Sequence, residues 1–158
     1  MSTSHRTGTA LKTDIAGLGA HAGEHLGYTA WRTLSQDRVD LFADLTEDHN
    51  PIHVDPDHAS RTPFGTTIVH GFFTLAMLAP LINELMLVDG AALSINYGLD
   101  KVRFPSPVSV GARFRCGAEL SEVTEISGGV RVKVIATVEV EDAPKPALVA
   151  ECLFRFYA

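Results

Sequence analysis

Residues 71–86 form an apolar run with no polar face, and four long alternating segments follow it. Phe72, Phe73, Leu75, Met77, Leu78, Leu81, Ile82 and Leu85 leave no hydrophilic stripe at helical spacing. A helix that is apolar all round is stable in water only when most of its surface is covered. The segments 93–104, 111–125, 130–141 and 147–157 alternate or are rich in β-branched residues. Pro105-Ser106-Pro107, Ser127-Gly128-Gly129 and Ala143-Pro144-Lys145-Pro146 separate them, a pattern that predicts an antiparallel meander. Nothing else in the chain can cover the helix, so the sheet has to wrap around it. The expected layout is α+β, an antiparallel sheet around a central buried helix. Pro80 should kink that helix or end its first half.

The front of the chain is less regular. Residues 1–12 read as a flexible tail, being mostly small and polar without period, and residues 13–22 as a short helix ending at Gly23. Residues 27–33 are aromatic and β-favouring, a first strand. Ser35 fits an N-cap with Asp37 in the first turn, and Val39, Phe42 and Leu45 then follow near helical spacing. The helix they predict delivers Asp48 at its end. With 158 residues, 46% of them hydrophobic, and no internal repeat, residues 13–158 read as one domain.

Composition excludes some classes of function. The net charge of −6 argues against nucleic acid, whose phosphates call for a basic surface, although a local cluster can still hold an anionic cofactor. Cys116 and Cys152 sit in alternating segments without a CxxC partner, so they read as buried small hydrophobes. The N-terminus lacks the apolar core of a signal peptide, and the 72–88 stretch is broken by Pro80, Asn83 and Glu84. The expectation is a cytoplasmic protein with no membrane partner.

Chemistry concentrates in Asp44-Leu-Thr-Glu-Asp-His-Asn-Pro-Ile-His-Val-Asp55. On a continuous helix Asp48 and His53 would point about 140° apart. Pro51 disfavours helical geometry at Asn50 and removes a backbone donor, so the chain must turn. A turn can bring the carboxylate and the imidazole to one point, where they can hold a water and move its protons. A carboxylate at a helix C-terminus is disfavoured by about 0.3–1 kcal/mol, so Asp48 was not placed for helix stability. His49 and His53 share the spacing of helical zinc pairs, but Pro51 lies between them and no glutamate stands in the base position of an HExxH motif. No metal is therefore expected, and His49 and His58 read as surface residues. His70-Gly71 precedes the apolar helix, where an amide has no internal acceptor.

Thr46 to Asp55, together with Phe64-Gly-Thr-Thr-Ile-Val-His-Gly71, resembles the signature of the MaoC-like R-specific enoyl-CoA hydratases. Ile95-Asn-Tyr-Gly-Leu-Asp-Lys-Val-Arg-Phe-Pro105 resembles the central strand of that group. The likeness covers roughly residues 13–158 and is strongest to actinobacterial single-domain 3-hydroxyacyl-thioester dehydratases and the NodN-like branch. It implies a hot-dog fold, usually dimeric, and a homodimer would also cover the exposed sheet edges of a lone domain.

The resemblance further implies reversible hydration of a trans-2-enoyl-CoA to an (R)-3-hydroxyacyl-CoA. Asp48 and His53 would be catalytic, and the Gly71 amide would bind the thioester oxygen as charge grows on it. Asn50, His70, Asn96 and Arg103 are candidates for substrate contact, though Asn96, Lys101 and Arg103 read equally well as strand residues facing solvent or a partner. Some relatives carry a serine on the helix; Thr74 is the only hydroxyl within 71–86 and is left without a role. Coenzyme A would enter as part of the substrate, an acyl-carrier protein could replace it, and no separate cofactor is expected. Two alternatives remain open: a hot-dog thioesterase, and a non-catalytic subunit that binds acyl thioesters.

Overall fold

The computed structural model describes residues 10–158. The chain runs β1 (Leu11–Asp14), a 3-10 turn (Leu18–His21), β2 (Glu24–Tyr28), α1 (Gln36–Thr46), α2 (Pro51–Val54) and α3 (Pro56–Ser60). It continues through α4 (Gly71–Ala76), α5 (Leu78–Asn83), β3 (Met86–Asp89), β4 (Leu93–Arg103), β5 (Phe114–Ile126), β6 (Gly129–Val140) and β7 (Leu148–Tyr157). The layout is α+β, with a five-stranded antiparallel sheet ordered β2-β5-β6-β7-β4 and a separate parallel pair, β1 with β3.

The four expected strands are present within a few residues of their expected bounds. Their pairing differs from a simple meander. β5, β6 and β7 pair consecutively, but β4 lies beside β7, and β2 takes the free edge of β5. The Pro105-to-Ala112 connection spans the sheet instead of making a tight hairpin, because two prolines cannot donate to a ladder.

Several local expectations also change. The stretch read as a tail already enters β1 at Leu11; residues 1–9, the rest of that stretch, lie outside the described residues. Residues 13–22 do not form a helix. Only Ile15 and Leu18 are large and apolar there, Gly17 and Gly19 intervene, and the outcome is β1 followed by a 3-10 turn that buries Leu18 completely. Gly23 closes that turn at φ +86°, a left-handed conformation that favours glycine. The first strand is shifted to 24–28, with one further bridge between Arg32 and Phe114. α1 starts after Ser35 as expected, but its buried face is Val39 and Ala43, while Leu45 is exposed.

The apolar helix divides at Met77. Pro80 has no N–H to donate to the Ala76 carbonyl, and its ring crowds that carbonyl, so α4 ends there and α5 begins. Leu78, Leu81, Ile82 and Leu85 pack into the core against the sheet residues Phe114, Leu120, Val132, Val134, Val138 and Leu148. Each such side chain contributes about 1.5–3 kcal/mol by leaving water. The helix is not buried all round, however. One chain's sheet covers one side only, leaving Phe72 70% exposed. β4 also shows Leu93, Ile95, Tyr97 and Leu99 to solvent along the open sheet edge. None of the described helices is long and apolar enough to cross a membrane.

Candidate active site

The segment after α1 uses one device twice. Glu47, at φ 60°, ends α1 in a left-handed turn. The Asn50 side chain then accepts from the Ile52 N–H (3.3 Å), and Pro51 takes the first position of α2. Five residues later Asp55 accepts from the His58 N–H (2.9 Å) and Pro56 starts α3. A proline is tolerated at the first helical position because its missing donor would be unpaired there anyway. Pro51 thus does more than break α1: it opens a new one-turn helix whose direction points His53 back toward Asp48.

His53 is buried. Its Nδ1 lies 2.7 Å from the Ile68 carbonyl oxygen, which can only accept, so Nδ1 carries the proton and Nε2 is bare in the neutral ring. Burial holds His53 below the ordinary imidazole range. The Ile68 carbonyl and Asp48 pull the other way, and His70 adds to the lowering. The result is an unprotonated base at neutral pH. Its main-chain carbonyl accepts from Gln36 Nε2 (2.7 Å), while Gln36 Oε1 accepts from the Thr67 hydroxyl (2.6 Å). One amide therefore ties α1, α2 and the 67–68 segment together. Nothing in a lone glutamine at a helix start signalled this role.

Asp48 is exposed, and its Oδ1 accepts a long bond from the Asn50 N–H (3.4 Å). His70 caps α4 and is almost fully buried. Its Nε2 donates to the Asp48 main-chain carbonyl (3.0 Å), and its ring stacks on His53. One nitrogen or oxygen from each of Asp48, His53 and His70 lies within 4.8 Å of the others. That composition could suggest a metal, but the two rings are nearly parallel, 25° apart, so their in-plane lone pairs do not converge on one ion. One nitrogen of each ring is also engaged with a carbonyl.

A cavity of about 270 Å³ opens beside His53, lined also by Gly71, Thr74, Phe64, Phe104, Pro105, Pro107 and Val108. Gly71, the first residue of α4, has no acceptor for its amide within the helix. A Cβ at this position would meet the Phe104 ring at 3.3 Å, so the bare α-carbon also lets Phe104 close over it. Thr74 faces the same cavity, but its hydroxyl donates back to the His70 carbonyl (3.3 Å).

The remaining sequence candidates lie elsewhere. Asn50 serves as the cap of α2. Asn96 lines a second cavity of about 250 Å³ with Phe72, Leu75 and Cys152. Arg103 is exposed at the end of β4 and donates to the Val102 carbonyl. His49 and His58 are exposed as expected. Cys116 and Cys152 are free and buried, their thiols pushed up to about 12 by burial, so neither is a nucleophile near neutrality.

Residues 18–143 match the family model described as a MaoC like domain. The chain belongs to the MaoC-like family. It is 52% identical to 3-hydroxyacyl-thioester dehydratase Z of Mycobacterium tuberculosis over 91% of this chain and 96% of that protein. It is 41% identical to Nodulation protein N of Rhizobium leguminosarum bv. viciae, covering 86% of each. Among solved structures it is similar to an (R)-hydratase from A. caviae involved in PHA biosynthesis, with TM-score 0.70, 25% identity and coverage of 84% and 94%. The hot-dog fold is thereby established, with the family's hydro-lyase class.

Proposed function

We propose that this MaoC-like chain adds water reversibly to a trans-2-enoyl thioester, giving the (R)-3-hydroxyacyl thioester, with coenzyme A or an acyl-carrier protein holding the acyl group. The observation that carries this reading is the approach of the Asp48 carboxylate to a His53 ring whose Nε2 is bare, beside a cavity bounded by Gly71. A carboxylate accepts one hydrogen of a water and a neutral imidazole the other, which aims the oxygen at the β-carbon of a thioester lying in the cavity. One of the pair takes a proton as the C–O bond forms, and the pair returns a proton to the α-carbon. The Gly71 amide donates to the thioester oxygen while charge sits on it; α4 has only six residues, so the amide itself matters more than any helix dipole. No electrons are exchanged in hydration, so the step calls for no redox cofactor. The (R) outcome is supported by the names of relatives such as the (R)-specific enoyl-CoA hydratase of Rhodospirillum rubrum.

The same reading includes a second copy of the chain. β4 is an eleven-residue strand at a free sheet edge, and its Leu99 lines one cavity with Phe72, whose ring meets Phe104 edge-on. A homodimer joined through β4 would remove that edge and cover that surface.

The test is to incubate the purified chain with crotonyl-CoA, resolve the product on a chiral column and assay free thiol in parallel. Formation of the (R)-3-hydroxy product without thiol supports hydration. Thiol release would favour a thioesterase, and silence with all enoyl chain lengths would favour a binding subunit.

A further inference from the structure

His70 is the most constrained polar group near the site, yet it lines neither cavity. Only 2% of it is exposed. Its Nε2–H reaches the main-chain carbonyl of Asp48, its ring face lies on His53 at 3.8 Å, and the Phe42 ring packs against it at 5.0 Å. Its own carbonyl is bonded by the Phe73 and Thr74 amides and the Thr74 hydroxyl, which fixes it rigidly as the cap of α4. One residue thus touches the backbone of the carboxylate, the ring of the base, and the peptide unit that carries the Gly71 amide. Among the described residues its Nδ1 has no hydrogen-bond partner.

We infer that His70 is a positioning residue for the hydration chemistry: its stacked ring and its bond to the Asp48 carbonyl hold Asp48, His53 and Gly71 in one alignment. The inference deepens the hydratase reading and rests on it. It assigns His70 no contact with substrate. Misplacement of reacting groups by about 1 Å can cost about 10²-fold in rate.

Two variants separate its contributions. His70→Phe keeps a flat ring on His53 and loses the N–H. His70→Gln keeps an N–H that reaches the Asp48 carbonyl and loses the stacked ring. Both should fold, as thermal melts will check. Each should lower kcat by about 10-fold to 10²-fold with KM for crotonyl-CoA changed by less than about 2-fold.

A second readout does not depend on turnover. The titratable groups that bear on His53 are Asp48, from the turn after α1, and His70, from the cap of α4. Burial is the main cause of the lowering of His53 and stays in place in His70→Phe, but the variant removes the ring that adds to it, so the His53 imidazole titration followed by nitrogen NMR should move upward. Normal kcat in both variants would overturn the inference. So would a raised KM at constant kcat, or a His53 titration that does not move. A wild-type protein with no hydratase activity but a shifted His53 titration in His70→Phe would sink the hydratase reading and leave the alignment of His53 by His70 standing.

Discussion

The imidazoles of His53 and His70 lie face to face, with centroids 3.8 Å apart and planes 25° apart, and each ring is pinned by one nitrogen to a main-chain carbonyl. The pair sits where α2 meets the cap of α4, the two histidines lying seventeen residues apart in the chain. Burial and the second ring both disfavour charge on His53. The arrangement therefore favours a neutral His53 ring beside an exposed carboxylate.

Asp48 takes no part in the core, and its side chain is exposed. Asp48→Asn should leave the melting temperature within about 2 °C of wild type, since surface substitutions usually change stability by less than about 0.5 kcal/mol. Hydration should fall by about 10²-fold to 10⁴-fold, the usual worth of a positioned proton carrier. Initial rates beside a thermal melt make the comparison, and near-normal turnover would remove Asp48 from the mechanism.

His53 gives a pH dependence with a definite sign. Its folded value is lowered from 6.5, with burial as the main cause. Between that lowered value and about 6.5 the unfolded chain binds more protons than the folded one, so stability rises with pH across the window and is lost as pH falls through it. His53→Gln lacks this contribution. Melting temperatures taken from pH 7.5 down to pH 5 should fall more steeply for wild type than for the variant, and parallel curves would show that His53 is not held neutral by folding.

Gly71→Ala places a methyl group 3.3 Å from the Phe104 ring. Phe104 is 44% exposed and can yield, so the stability cost should be near the low end of overpacking, about 1 kcal/mol. Turnover should fall further than stability does, because the ring and the first turn of α4 border the cavity together. Combining the change with Phe104→Leu should recover the melting temperature. Failure to recover it would place the strain elsewhere.

The β4 edge predicts assembly. Leu99 is 42% exposed on that strand, and Leu99→Lys should convert a dimer to a monomer in sedimentation equilibrium by placing a charge on the apolar surface. A wild-type chain that sediments as a monomer at micromolar concentration would contradict the proposed pairing.

Much of this architecture was legible because it is local. Asn50-Pro51 announced the turn between Asp48 and His53, and proline and glycine breaks marked the ends of β4 to β7. Pro80 announced the division of the apolar helix at Met77. Strand order was not legible, because alternation shows which face of β4 is apolar but not that its neighbour is β7 instead of β5. The parallel β1–β3 pair was hidden for the same reason, each strand being only four residues long. Gln36 escaped notice because a glutamine in a first helical turn looks like any exposed polar residue until three elements close around it. His70 was visible as a candidate; only the fold showed that it lies beneath the site and not in the cavity.

The most direct test of the central claim is a double-mutant cycle on kcat/KM for crotonyl-CoA hydration with Asp48→Asn, His53→Gln and the pair combined. Two groups that hold one water and share its protons act as a unit, so the double variant should be about as slow as the slower single variant. Losses that multiply in the double variant, or a single variant that keeps wild-type turnover, would contradict a shared water and require the two residues to be assigned separate work.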